Sequence, residues 1–214
     1  MTDETGPAPF AVAAEDFCRM CGFDQDRFWE DGSPTYAICD CCGSESGIGD
    51  LGAVPGSWEG VRGLHDFRGW WVGQGAEWST PSQRPADWDL LRQMRNIPSE
   101  WRSPSPPTVD RAQRAALQES CGALDGEESI CRVCGFLGEI FWSNGEPTGV
   151  TCPCCGSESG VDDLGRPGDW NSMTLIRTSR GYWIANGAQW VNPELRPAGW
   201  TVLRQISEIP VDWR

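Results

Sequence analysis

The 214-residue chain contains no lysine and a single histidine, so all 17 of its basic residues are arginine. Its 31 acidic residues outnumber these arginines and give the chain a net charge of −14. A surface of this charge repels nucleic-acid phosphates and anionic membranes, so we expect neither as a partner. It suits a protein partner with a basic surface.

Long apolar segments are also absent. The chain has no run of 18 apolar residues, so it predicts no membrane span. Its first 17 residues have neither the basic start nor the apolar centre of a signal peptide. We therefore expect a cytoplasmic protein. In that compartment its 11 cysteines would stay reduced, and metal binding is the first alternative to disulfides.

What the chain does contain is a long internal repeat. CRMCGF at 18–23 matches CRVCGF at 131–136, and the match continues to the Trp-Arg pair that ends each copy. The repeat predicts two homologous domains, at 17–102 and 130–214, with an N-terminal tail at 1–16. A Pro/Ser linker with a short helix is predicted at 103–129. Two copies are too few for a solenoid, and a pseudo-twofold arrangement is one way for them to pack.

Each copy carries two C-x-x-C pairs, each followed by glycine, with 17 residues between the second cysteine of one pair and the first of the next, the signature of a zinc ribbon. Two thiolates three residues apart can bind one tetrahedral ion from a tight turn, and the glycine that follows can take the positive φ of that turn. We therefore predict two Zn²⁺ ions. Iron, as in rubredoxin-like sites, is the less favoured metal. The predicted ligands are Cys18, Cys21, Cys39 and Cys42 in copy one, and Cys131, Cys134, Cys152 and Cys155 in copy two.

Three cysteines are left over. Cys41 and Cys154 occupy the same interior position of the second turn, and choosing either as a ligand would leave C-x-C spacing without the following glycine. They are predicted to be small buried residues, with a redox thiol as the alternative. Cys121 has no counterpart in the repeat and is interpreted as incidental.

The rest of each copy predicts an α+β fold, in which a β-hairpin with the four-cysteine site is followed by two short helices. The hairpin turns are expected at Asp31-Gly32 and Asn144-Gly145. The first helix is expected from Trp58 in copy one and from Trp170 in copy two, and the second stops before a proline in each copy. Twelve of the 13 tryptophans pair between the copies. Most of them are predicted to pack in the core of a small domain, with a set of binding anchors as the alternative.

The two matches to enzymatic motifs both lack a required feature, so we predict that the protein is not an enzyme. GIGDLG at 47–52 matches a dinucleotide fingerprint but does not open a helix in a βαβ unit. GSESG at 43–47 resembles a nucleophile elbow but has Glu45 where the nucleophilic serine would stand. The only histidine, His65, aligns with Arg177, so the two copies do not share a catalytic histidine.

The pattern C-x-x-C-G, an aromatic hairpin, C-x-C-C-G, N-G-A-x-W and a late I-P resembles small cysteine-rich, zinc-ribbon-like bacterial proteins. Copy one departs from it at Gln74, where copy two keeps Asn186. In size and acidity such proteins are similar to immunity or antitoxin proteins. We therefore expect a protein-interaction module that neutralises a basic toxin, with a nucleic-acid-associated zinc-ribbon regulator and rubredoxin-like electron transfer as alternatives. The candidate contact residues are Trp70, Glu45 and Glu158.

Overall fold

The computed structural model describes residues 14–107 and 126–214. Most of the N-terminal tail, the linker helix predicted near 109–120 and Cys121 lie outside these ranges. Within them the chain forms five α-helices and two small antiparallel sheets, the mixed helix and strand content that the sequence predicts. No helix of the described part combines the length and the apolar character needed to cross a membrane.

The elements follow the same order in both copies, except that copy two begins with an additional strand and ends in a 3₁₀ turn where copy one has a short α-helix. Copy one contains β1 (Trp29–Glu30), β2 (Ser33–Pro34), α1 (Trp58–Gly73), a 3₁₀ turn (Pro81–Gln83), α2 (Leu90–Met94) and α3 (Ser99–Arg102). Copy two contains β3 (Glu127–Ile130), β4 (Leu137–Ser143), β5 (Glu146–Pro147), α4 (Thr174–Ala185), a 3₁₀ turn (Pro193–Leu195), α5 (Val202–Ile206) and a last 3₁₀ turn (Val211–Trp213).

Both hairpins turn where the sequence predicts. Asp31 and Asn144 have φ of 49° and 51°, and the glycine after each also has positive φ. Two consecutive residues with positive φ form the type I′ turn that suits a short hairpin. A third strand, β3, pairs with β4, and most of its residues lie in the segment that the sequence predicts as linker.

The first helix of the two copies begins at different places. In copy one the Ser57 hydroxyl oxygen caps α1 by accepting from the Gly60 backbone N–H at 3.2 Å. In copy two the helix was expected from Trp170, but α4 begins only at Thr174. The Asp169 carboxylate accepts from the backbone N–H groups of Asn171 and Ser172 and holds this segment in a turn.

Helices α1 and α4 pack against each other and join the two copies. The contact is pseudo-symmetric, since an edge-to-face pair closes each side: Trp70 with Trp170, and Tyr182 with Trp58. One buried apolar cluster includes residues from both copies. The cysteine turns of both copies are therefore attached to a shared helical core.

Candidate metal centres

Each cysteine turn is closed by two backbone hydrogen bonds. In the first turn the Gly22 N–H donates to the Cys18 carbonyl and the Cys18 N–H to the Phe23 carbonyl, both at 2.8 Å. The other three turns repeat this pattern. The glycine at the end of every turn has φ between 74° and 80°, a conformation that costs glycine little.

The turns bring the eight candidate ligands together in two groups of four. In copy one the Cys18 and Cys42 sulfurs lie 3.7 Å apart, and those of Cys21 and Cys39 lie 3.5 Å apart. The corresponding separations in copy two are 3.7 and 3.6 Å. All four sulfurs of a group lie within 4.8 Å of one another.

These separations fit one metal ion in each group. A tetrahedral ion with metal–sulfur bonds of about 2.3 Å spaces its sulfur ligands about 3.8 Å apart. Seven of the eight cysteines are buried, and Cys155 is half-buried. The two groups could therefore each hold a metal ion, with sulfur as every protein ligand and little access for solvent.

The thiols of each group differ in how readily they ionise. Hydrogen bonds from Cys18 and Cys21 hold the pKa of Cys39 well below its usual value, whereas burial raises the pKa of Cys21 well above it. Copy two repeats the pattern: hydrogen bonds from neighbouring thiols lower the pKa of Cys152, and burial raises the pKa of Cys134. A metal ion would take up the negative charge that four buried thiolates cannot carry alone.

In each copy an arginine of the first cysteine turn packs between two tryptophan rings, one from the hairpin and one from the C-terminal end of the copy. The Arg19 guanidinium carbon lies 3.8 Å from the ring centre of Trp29 and 4.1 Å from that of Trp101. Its Nε also pairs with Glu15 at 2.7 Å. Arg132 in copy two is held in the same way, between Trp142 and Trp213. These repeated tryptophans are buried or half-buried and serve packing and cation–π contacts.

A second, fully buried arginine on the long helix of each copy satisfies the carbonyls of the first turn. Arg68 donates from Nε to the Met20 carbonyl at 2.7 Å and from Nη2 to the Arg19 carbonyl at 2.9 Å. Burial lowers the pKa of Arg68 to about 10, while the charges of nearby cysteines oppose that shift. Arg180 makes the equivalent bonds in copy two.

The extra cysteine of each second turn is buried and hydrogen-bonded. The Gln93 side-chain amide donates to Cys41 Sγ at 3.3 Å and to the Cys21 carbonyl at 2.9 Å. Its oxygen accepts from Trp88 Nε1 at 2.7 Å. Gln205 makes the same contacts with Cys154, Cys134 and Trp200. Neither extra cysteine belongs to a group of four sulfurs.

The repeated GSESG segment returns the chain from the second cysteine turn to the hairpin. The Ser46 N–H donates to the Ala37 carbonyl, and the Gly47 N–H donates to the Asp50 carboxylate at 2.7 Å. The same carboxylate accepts from Trp29 Nε1 of the hairpin at 2.7 Å. Asp163 makes the equivalent bonds in copy two. In both copies the segment therefore joins the second cysteine turn to the hairpin through backbone hydrogen bonds.

The three candidate contact residues lie in different places. Trp70 is half-buried on α1, with its ring against Phe67 and Trp170 where the copies meet. Glu45 and Glu158 are both half-buried beside the second cysteine turns, where each forms an isolated β-bridge with the residue just before the turn, Ile38 or Thr151. Trp70 is therefore partly engaged in the contact between the copies.

Sequence reasoning missed the buried arginines and the role of the glutamines. Arg68 and Arg180 stand at equivalent positions, as do Gln93 and Gln205, so their identity in the two copies was the available signal. Spacing alone could not assign them a role, because their bonds reach turns about 50 to 70 residues away in the chain.

The fold and the two sulfur clusters define a protein of mixed helix and strand with two four-cysteine sites that could bind metal. No family model, curated protein or solved structure matches the chain.

Proposed function

We propose that the protein is a non-enzymatic zinc-binding module that binds a basic protein partner, in the manner of an immunity or antitoxin protein. The observation that carries the zinc assignment is the pair of four-sulfur groups, each of a size that suits a tetrahedral ion. Four thiolates occupy every position of such an ion and leave none for a substrate, which supports a structural role.

The choice of a protein partner is supported by charge. The chain carries a net charge of −14, which favours association with a positively charged surface and disfavours nucleic acid. The two metal centres would then serve to hold a small, tryptophan-rich framework in one conformation. Two ions bound by thiolates can supply folding free energy that a modest apolar core lacks.

Metal content tests the first part of the proposal. Elemental analysis of protein purified without added metal should find two zinc ions per chain, one for each group of four cysteines. Iron in the native protein would contradict the zinc assignment and favour rubredoxin-like electron transfer. A single ion per chain would mean that one group does not bind.

Binding kinetics test the second part. The protein captured with this chain from its native host should associate more slowly as salt rises, because complementary charges accelerate encounter. Dissociation should change much less, since packed contacts determine it. Duplex and single-stranded nucleic acids serve as the competing ligands. Their binding at physiological salt, with no protein recovered, would replace the proposal with the nucleic-acid-associated alternative.

A further inference from the structure

Three apolar side chains of copy one are exposed beside the hairpin and are here called the hairpin patch: Tyr36, Ile38 and Ile48. Their exposed fractions are 63%, 60% and 64%. The two segments that carry them run side by side, since the Ser46 N–H donates to the Ala37 carbonyl and a Cβ at Gly47 would lie 3.4 Å from the Tyr36 ring. Ile48 is the next residue after Gly47, and Ile38 forms a bridge with Glu45.

Tyr36 is held in a backbone conformation that favours glycine. Its φ is 61°, in the left-handed region that costs a bulky residue free energy. Copy two has Gly149 at the equivalent position, with φ of 73°. The same turn is therefore built with glycine in this very protein. Folding does not require the tyrosine, and its exposed ring contributes little to the core.

The other two patch positions also differ between the copies. Ile38 and Ile48 of copy one correspond to Thr151 and Val161 of copy two. Copy two thus offers an internal reference in which the same loop carries a glycine, a threonine and a smaller apolar residue. Exposed aliphatic and aromatic side chains that adjoin one another are typical of binding sites, whereas single ones are common on any surface.

The charge around the hairpin patch indicates the kind of partner. Residues 24–50 contain seven acidic residues, of which all but the buried Asp50 are exposed or half-buried, and one arginine. That arginine, Arg27, already pairs with Asp16 at 3.1 Å and with Glu30 at 2.9 Å. A surface with an apolar centre and an acidic surround complements apolar or aromatic side chains flanked by Arg or Lys.

We propose that the hairpin patch is the docking surface for a basic protein partner, with Tyr36 as the aromatic anchor and Glu45 at its edge. The partner inserts an apolar or aromatic side chain between Tyr36, Ile38 and Ile48, and its arginines or lysines lie against the surrounding carboxylates. This assignment rests on the proposed function, since it names the surface through which the basic partner binds.

A random peptide library displayed on phage provides the probe, with the full-length zinc-loaded protein as bait. Selection should enrich peptides in which an aromatic or leucine residue is flanked by Arg or Lys. The enriched peptide, made synthetically, should bind the Tyr36→Gly variant at least about tenfold more weakly, as for a central aromatic anchor. NMR shift changes should centre on Ile38 and Ile48.

Two variants that exchange residues between the copies separate binding from folding. Tyr36→Gly introduces the residue of copy two and should keep the zinc content and the melting temperature, because glycine suits this φ. Val191→Ser replaces an exposed valine of copy two with the residue that copy one has there, Ser79. It removes a comparable apolar side chain elsewhere and should leave peptide binding unchanged.

The outcomes distinguish the surface from the function. Basic peptides that bind Tyr36→Gly as tightly as the wild type would overturn the docking surface and leave the basic partner in place. Selection of acidic or uncharged peptides would overturn both. Dimerisation of the free protein in sedimentation, abolished by Tyr36→Gly, would overturn the proposal in favour of a second copy of this chain as the occupant.

Discussion

Gly69 and Gly181 face each other where helix α1 packs against helix α4. A Cβ at Gly69 would lie 1.8 Å from the carbonyl oxygen of Arg177, and one at Gly181 would lie 2.0 Å from that of His65. His65 and Arg177 are themselves equivalent residues of the repeat, so the two contacts are related by the pseudo-twofold arrangement. Glycine at both positions allows the backbones of the two helices to touch.

Alanine at either position should therefore separate the helices. We expect Gly69→Ala and Gly181→Ala each to lower the free energy of unfolding by about 3 kcal/mol or more, because the added atom meets backbone that cannot move as a side chain can. Denaturant unfolding of the zinc-loaded protein, followed by tryptophan fluorescence, measures the change.

Gly63 provides the matched control on the same helix. It is exposed, and a Cβ there would meet no atom within 4 Å. Gly63→Ala should raise the free energy of unfolding by about 0.5–1 kcal/mol, the usual gain from alanine in a helix. If Gly69→Ala were as stable as Gly63→Ala, the close contact between α1 and α4 would be wrong.

Local chemistry made the hairpin turns and the glycines of the cysteine turns predictable from the sequence. Asn144-Gly145 and the C-x-x-C-G turns depend on residues next to one another, and short spacings express such constraints directly. The contact of Gly69 with Gly181 joins residues more than 100 positions apart. From the sequence alone, a glycine inside a helix indicates only a weaker helix, and nothing local distinguishes it from a glycine that permits a close helix crossing.

The start of α4 shows a second limit of sequence reasoning. Equivalence with Trp58 suggested that the helix begins at Trp170, but Asp169 and Ser172 form a local turn there. The buried role of Arg68 was equally hidden, since an arginine on a helix is usually solvated. Its burial follows from the carbonyls of a turn nearly 50 residues earlier.

Serine substitutions should separate the metal ligands from the extra cysteines. Cys42→Ser is expected to lose one of two zinc ions and to lower the free energy of unfolding by several kcal/mol, on the order of a structural zinc contribution. Cys41→Ser is expected to keep both ions and to cost about 1 kcal/mol, because it weakens the bond with Gln93. Metal content and thermal unfolding are measured on the same samples.

Copy two repeats this experiment independently. Cys155→Ser should behave as Cys42→Ser does, and Cys154→Ser as Cys41→Ser does, since the geometry is equivalent. Combining Cys42→Ser with Cys155→Ser should remove both ions. Loss of metal from the Cys41 or Cys154 variants, with retention in the others, would show that the wrong sulfur of the second turn has been chosen.

His65 should make the stability depend on pH. Burial, helped by the charge of Arg68, lowers the pKa of His65 to about 2, and Nδ1 accepts from Arg68 Nη1 at 2.7 Å. The unfolded chain binds a proton near pH 6.5 that the folded protein excludes. The free energy of unfolding is therefore highest well above pH 6.5, where His65 is neutral in both the folded and the unfolded chain. It falls as the pH drops, by about 1.4 kcal/mol at pH 5.5.

Unfolding measured from pH 7.5 to 5.5 in excess zinc tests this dependence. His65→Gln removes the titrating group while its amide oxygen can still accept from Arg68. The variant should lose the part of the slope that wild type shows between these values, whatever its overall stability. Equal slopes for the two proteins would mean that His65 is accessible to protons in the folded state.

Arg180 should matter more to the structure than its counterpart Arg68, because it also bonds across the contact between the copies. Its Nη1 donates to the Gly69 carbonyl at 3.2 Å and its Nη2 to the Trp213 carbonyl at 2.9 Å, in addition to the bonds with the cysteine turn. Arg180→Met leaves these buried acceptors without donors. We expect a loss of about 3 kcal/mol or more in the free energy of unfolding, and a smaller loss for Arg68→Met.

Arg180→Lys distinguishes the geometry of the guanidinium from its charge. Lysine keeps the positive charge, but its single ammonium group cannot donate to all four carbonyls that the planar guanidinium group of arginine reaches. It should therefore recover little of the free energy of unfolding. Zinc transfer to a colorimetric chelator gives a second readout. In Arg180→Met the ion of copy two should leave faster than that of copy one. The first cysteine turn of copy two is then no longer held through the Val133 and Arg132 carbonyls. A lysine variant as stable as wild type would show that charge beside the thiolates, and not the network of carbonyl bonds, is what Arg180 supplies.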